Sequence, residues 1–302
     1  MQPHPVGQIA VMASLPLLFD RRLHRSRRQR WQKDAPQFLN DIVVAELAER
    51  IAIVNRPLRR MLAHGAAATR FREVTQPLRQ ESWIIASDVI ARPGLELVFD
   101  DESIPLAAEG LEAFVCLLGW ELANDVPGIL AQIRHSLKPD GVLFAAVLGG
   151  ETLRELRDAW LLAEEVETGG ATPRVAPFID IGQWGQLLQR AGFALPVVDS
   201  DRRTVLYRDM AGLMSDLRAL GLANSMQGRS RRPLTRRLLA SLARAYAERF
   251  SDPDGRLRAT FEIIYLTGWA PHESQQKPLR PGSAKVRLAD VLGVEEKKLK
   301  PG

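Results

Sequence analysis

The chain has 302 residues, 46% of them apolar and 25% charged, the balance of a globular protein with one large or two smaller cores. No uninterrupted apolar run reaches the roughly 20 residues a membrane-spanning helix needs, and the single cysteine, Cys116 in "FVCLL", excludes an internal disulfide framework and a cysteine-built metal site. A net charge of +5 suits an anionic partner, but the excess is concentrated in "RRLHRSRRQRW", Arg21–Trp31, and the remaining sequence mixes both signs.

In chain order, "GQIAVMASLPLLF" carries its positive charges on its carboxyl flank, the wrong side for a secretory signal. An Arg-rich, acid-poor start has the composition of an organelle transit peptide; a cytosolic extension is the simpler reading, and a lone thiol fits a reducing, cytoplasmic setting. The Arg21–Arg30 run reads as a solvated helix face. Its alternatives are a phosphate anchor on a nucleic acid or a peripheral membrane contact.

After Pro36, the spacing of Phe38, Ile42, Leu47 and Ile51 predicts a helix. "RPLRRML" leads into the small-residue turn "MLAHGAAATR", Met61–Arg70. "WIIASD" (Trp83–Asp88), "LELVFDD" and "LEAFVCLL" (Leu111–Leu118) read as strands, the first two ending in acids. "NDVPGILAQIRHSL" predicts a capped helix with an apolar stripe at Ile129, Leu130, Ile133 and Leu137. "KPDG" reads as a turn and "VLFAAVL" (Val142–Leu148) as a buried parallel strand. This βαβ alternation predicts an α/β fold with a parallel sheet.

Beyond it, "GGETLRELRDAWLLAEEVETGG" and "FIDIGQWGQLLQRAGF" predict helices, and "ALPVVDS" a strand. Helices over Asp209–Leu220 and Thr235–Phe250 form an insertion before a last long strand, Arg258–Trp269. A strand arriving after such an excursion can insert antiparallel beside its predecessor. The expected architecture is a Rossmann-like, seven-stranded class I methyltransferase sheet, with its ligand beyond the carboxyl ends of the strands.

"LKPDGVLFAAVLGGETLRELR", "TPRVAPF", "LLQRAGF" and "IIYLTGWAPHESQQKPLRPGSA", with the opening "LFDRRLHRSRRQRW", resemble the family of mitochondrial complex I assembly methyltransferase-fold proteins and their bacterial relatives. The resemblance spans about Phe19 to about Asp290. It implies S-adenosyl-L-methionine as cofactor, a protein substrate such as a complex I subunit, and either methylation or, as described for the mitochondrial member, arginine hydroxylation. It divides the chain into a basic extension (1–36), a methyltransferase-like domain (37–290) and a polar tail (291–302).

Relatives carry an acid-Leu-Gly-Cys-Gly-x-Gly cofactor turn. Here Met61 stands at the acid position, and Ala63, Gly65 and Ala67 at the glycines. One left-handed alanine costs ~1–2 kcal/mol and the missing charged acceptor ~1.5–3 kcal/mol. Together they remove about two to three and a half decades of affinity. Other implied cofactor contacts survive: Asp88 for a ribose, Asp100 and Asp101 for an adenine amine, and Leu118, Trp120 and Leu122 as pocket wall. Glu121 replaces the relatives' histidine, so no proton-transfer role carries over, and no catalytic residue is assigned.

The sequence also offers "GGET" (Gly149–Thr152) as an anion-binding helix start. Arg154, Glu155 and Arg157 read as a solvated helix face, and His272 and Glu273 as residues that either face substrate or hold the tail. No metal site is expected from five histidines without a close His/Asp/Glu cluster. An enzyme acting on a protein leads this reading. Its rival is a non-catalytic assembly scaffold that kept the fold and lost the cofactor, and a nucleic-acid modifier is the weaker third.

Overall fold

The computed structural model describes residues 17–31 and 38–276. Residues 1–16 of the amino-terminal extension, the "KPLRPGSA" part of the family motif and the 291–302 tail lie outside the described residues. Those through Pro271 form one compact unit, and His272–Gln276 belong to a second. Among the described residues no helix is long and apolar enough to cross a membrane.

A seven-stranded sheet organises the first unit in the order β3-β2-β1-β4-β5-β7-β6. Its strands are β1 (Arg60–Gly65), β2 (Trp83–Asp88), β3 (Leu97–Val98), β4 (Leu111–Leu117), β5 (Leu137–Leu148), β6 (Ala194–Tyr207) and β7 (Leu257–Trp269). The first five run parallel, while β7 lies antiparallel between β5 and β6. The expected methyltransferase sheet with a reversed last strand is present. Strands β1 and β4 are neighbours in the centre, so the connections diverge there and a crevice opens at their carboxyl ends.

The helices follow the alternation: α1 (Arg21–Trp31), α2 (Phe38–Ala52), α3 (Ala68–Thr75), α4 (Val126–Ser136), α5 (Arg154–Thr168), α6 (Ile181–Arg190), α7 (Met210–Ala219) and α8 (Arg236–Phe250). Local chemistry starts several of them. The Asp125 side chain accepts from the Gly128 N–H at 2.8 Å with Pro127 in the first turn of α4, and Asp180 forms a capping box with Gln183 on α6. Apolar faces of α2, α3, α5, α7 and α8 cover one side of the sheet. Those of α4 and α6 cover the other, where Trp120 meets Trp184 at 6.3 Å between centroids.

Three local expectations change. "KPDG" is not a free turn but the first part of β5, with Asp140 at φ 65° and a register shift opposite Leu111/Ala113. "LELVFDD" pairs only over Leu97–Val98, because Asp100 turns back to bridge Ser103. "ALPVVDS" continues through Tyr207, since β7 gives the polar half a partner along its full length.

Candidate functional site

The crevice is built on the turn after β1. Gly65 has φ +127°, and a Cβ there would stand 2.4 Å from the Leu117 carbonyl oxygen, so β4 approaches too closely for any side chain. Met61 is fully buried in β1 within the sheet-face core, paired with Ile84 and Ala113. The position that carries an acid in relatives is a packing residue here. Ala63 is equally buried, and its carbonyl accepts from Ser87 Oγ at 3.1 Å.

Asp88, at the carboxyl end of β2, is 1% exposed. It accepts from the Val89 N–H at 2.7 Å, from Arg92, and from Arg28 Nη2 at 3.3 Å on each carboxylate oxygen. Asp101, beyond β3, is 4% exposed and takes Arg21 Nη2 at 2.9 Å and His64 Nε2 at 2.8 Å. Burial pushes the Asp101 carboxyl up, but the His64 hydrogen bond and the His64 and Arg21 charges outweigh it and hold the group below its ordinary range. Asp100 accepts from Arg21 at 2.7 Å and from Arg25 at 2.5 Å.

The predicted acids are thus brought together, and their partners are the run expected to be a solvated face. Arg21, Arg25 and Arg28 recur at i, i+4 and i+7, which puts them on one side of α1. That side closes over the strand ends, and the solvated-face expectation fails for Arg21 and Arg28, while Arg25 pairs with Asp100 and keeps 43% of its side chain exposed. The same inward pairing removes them from the phosphate-anchor and membrane-contact readings. The helix is moored at its start: the Phe19 N–H donates to Asn124 Oδ1 at 2.8 Å and the Asp20 N–H to the Ser225 carbonyl at 2.8 Å. The Arg28 stem crosses Gly221 so closely that a Cβ there would meet Cγ at 2.9 Å. His24, between the two arginines, has a buried Nδ1 without a partner, and burial with the Arg28 and Arg21 charges drives its pKa down to about 3.

Between α1 and the β1–β4 crevice remains a cavity of about 80 Å³, lined by Arg28, Asn40, Ala66, Leu118, Glu121 and Leu148 among others. Pockets that hold cofactors occupy roughly 300–1,000 Å³, and one water takes about 30 Å³. With α1 seated, the site does not fit S-adenosylmethionine: the acids are bonded to guanidinium groups and the space suits a few waters. What lies beneath α1, two buried carboxylates on one side of a glycine turn, is a set of acceptors that suits the hydroxyls and amine of a nucleoside.

Leu118 lines the cavity, held at φ 56° with its N–H donated to the Ala146 carbonyl at 3.0 Å. Trp120 and Leu122 do not wall it. Trp120 packs in the opposite-face core, and Leu122 packs with Phe19, Ala176 and Met226 under the start of α1. Between them in sequence, Glu121 is the carboxyl group among the residues that line the cavity. It accepts from the Leu148 N–H at 3.2 Å, and burial pushes its pKa up to about 7. Sequence reasoning set Glu121 aside, and it missed His64, Arg28 and Arg92. His64 stacks on Phe99 at 4.5 Å and bridges Asp101 to Ser87 Oγ. A histidine inside the cofactor turn was the one signal that pointed to it.

The second-half motifs serve the scaffold. The amide of Glu151 in "GGET" donates to the carboxylate of buried Glu262 at 3.0 Å, so that helix start already holds an anion from β7. Glu155 is not on a solvated face; it is buried and accepts from the Thr260 N–H at 3.0 Å. His272 and Glu273 are exposed, with His272 Nδ1 against Ser274 Oγ at 2.7 Å.

No family model matches the chain. It is 34% identical over 299 residues to the human protein named arginine-hydroxylase NDUFAF5, mitochondrial, an alignment covering 94% of this chain and 86% of that one. The chain belongs to the NDUFAF5 family. This NDUFAF5-family member is also 36% identical over 194 residues to the malonyl-acyl-carrier-protein O-methyltransferase of Laribacter hongkongensis, covering 64% of this chain and 63% of that one. A crystal structure of a Bacillus halodurans methyltransferase superposes with a TM-score of 0.51 at 14% identity, covering 76% of this chain and 99% of that one. That likeness carries the fold, and with the strand order it makes this NDUFAF5-family chain a class I methyltransferase-fold protein.

Proposed function

We propose that this NDUFAF5-family protein is an S-adenosylmethionine-dependent enzyme that modifies a side chain of a protein substrate during assembly of respiratory complex I. The observation that carries the reading is the pair of buried carboxylates, Asp88 and Asp101, at adjacent strand ends beside the Gly65 turn. When bound, the cofactor supplies an electrophilic methyl group. With α1 lifted off the strand ends, Asp88 would accept from the ribose hydroxyls and Asp101, with Asp100 beside it, from the adenine amine, while the small residues from Gly65 to Ala67 let backbone approach. Ala63 stays a packing residue beneath that turn.

Glu121 is the acid–base group of this reading, because it is the carboxyl lining the cavity and burial pushes its pKa up to about 7. The relatives' name makes a guanidinium-bearing side chain the substrate class. We place the protein in the cytoplasm, where its buried thiol is kept reduced.

Calorimetric titration with S-adenosylmethionine and S-adenosylhomocysteine tests the reading. Saturable binding that is lost in Asp88→Asn supports it. A folded protein that gives no heat at millimolar ligand overturns it and leaves the non-catalytic scaffold reading.

A further inference from the structure

The outer flank of α1 borders a second concavity, a groove of about 540 Å³. Arg27 and Arg30 line it from the helix, Arg218 from the end of α7, and Arg229, Arg231 and Arg232 from the connector that leads to α8. Arg174 lines it as well, and no aspartate or glutamate is among the lining residues. Like charges gathered in one concavity repel one another, so the groove has an electrostatic demand for an anion.

The chain meets that demand only in part. Arg174 is balanced by Glu164, with Nε at 2.8 Å, and lies 4.8 Å over the Trp160 ring. Arg229 reaches Asp20 at 3.4 Å. Arg27 donates to the Asn224 carbonyl rather than to a carboxylate. Burial, and then the charges of Arg229 and Arg30, push its pKa below the ordinary guanidinium value. Arg30, Arg231 and Arg232 are exposed.

From this we infer that the groove docks an acidic segment of a partner protein, with glutamate or aspartate side chains entering the arginine cluster. Leu23 and Leu234, the latter 45% exposed, add apolar contact at the edges, which suits a segment that mixes acidic and apolar residues. No aromatic side chain lines the groove, so single-stranded nucleic acid would find no stacking platform there. Its concavity does not match the plane of a bilayer. Arg27 faces this groove while Arg28, the next residue, lines the cavity, so a docked segment lies within about one helix diameter, ~10 Å, of the proposed reaction site. The inference deepens the protein-substrate reading above but stands on charge and shape of a separate surface.

Fluorescence anisotropy with a labelled glutamate–leucine peptide of about ten residues, ~33 Å when extended, tests it. The full chain is expected to bind the peptide saturably, with affinity falling roughly tenfold between low and high salt. Arg231→Glu with Arg232→Glu should weaken binding roughly tenfold or more, and Arg231→Lys with Arg232→Lys should largely preserve it. The glutamate pair should leave the S-adenosylmethionine titration unchanged, which separates failure here from failure of the cofactor reading. No peptide binding, binding unaffected by the glutamate pair, or tighter binding to an oligoribonucleotide or to phosphatidylglycerol vesicles would each overturn the inference.

Discussion

Replacing Arg28 by methionine is expected to tighten S-adenosylmethionine binding, because Arg28 and the cofactor ribose claim the same carboxylate. The methionine keeps an apolar stem across Gly221 and removes the guanidinium, which lies 3.3 Å from both oxygens of Asp88. Removing one partner of a buried pair costs ~3–5 kcal/mol when the remaining charge is stranded. Asp88 is not stranded, since Arg92 and the Val89 N–H remain. The loss is therefore that of one charged hydrogen-bond partner, ~1.5–3 kcal/mol. It falls on the seated form of α1, while the lifted form loses nothing. Since apparent affinity scales with the population of the competent form, the Kd for S-adenosylmethionine should fall about 10- to 100-fold. Calorimetry on wild type and variant measures it, with circular dichroism confirming the fold. Equal or weaker binding in Arg28→Met would refute the competition and make Arg28 a support for the cofactor.

Gly221→Ala should act the same way from the other side, since its Cβ would meet Arg28 Cγ at 2.9 Å and φ is +78°; cofactor affinity should rise while stability drops by ~1–2 kcal/mol in urea melts. Glu121→Gln should raise stability at pH 8 by ~1–3 kcal/mol with little effect at pH 5. The sign follows from a folded-state pKa raised from 4.5 to about 7: wild type loses stability as pH rises through that window, and the neutral amide does not. Glu262→Ala removes the acceptor of the Glu151 amide and should cost ~1–3 kcal/mol, seen as a lowered thermal midpoint without change in the peptide anisotropy.

The sheet was legible because its strands are local statements. "WIIASD" and "VLFAAVL" are apolar runs of strand length, and their order with the intervening helices carries the topology. The cap of α4 was equally readable from Asp125 and Pro127. The site was legible only as a row of acids. What those acids do depends on arginines far away in sequence, with Arg28 and Asp88 separated by 60 positions and Arg21 and Asp101 by 80. A local pattern gives an arginine run no address, so α1 read as a surface. The buried acids that tie β7 to the start of α5, Glu155 from the helix and Glu262 from the strand, were hidden for the same reason. Trp120 misled because a tryptophan beside a crevice can turn to either face of the sheet, and here it turns away.

Cys116 gives the molecule an internal clock. It is fully buried in β4, and burial raises its thiol pKa well above the ordinary value, so in the closed sheet it is neither reachable nor ionised. A thiol reagent can modify it only when β4 separates from its neighbours. Lifting α1 breaks ion pairs above the sheet and leaves that strand in place. The rate of Cys116 alkylation therefore counts sheet-opening events alone. Run beside a cofactor titration of Arg28→Met, it distinguishes a protein whose α1 has loosened from one that is coming apart.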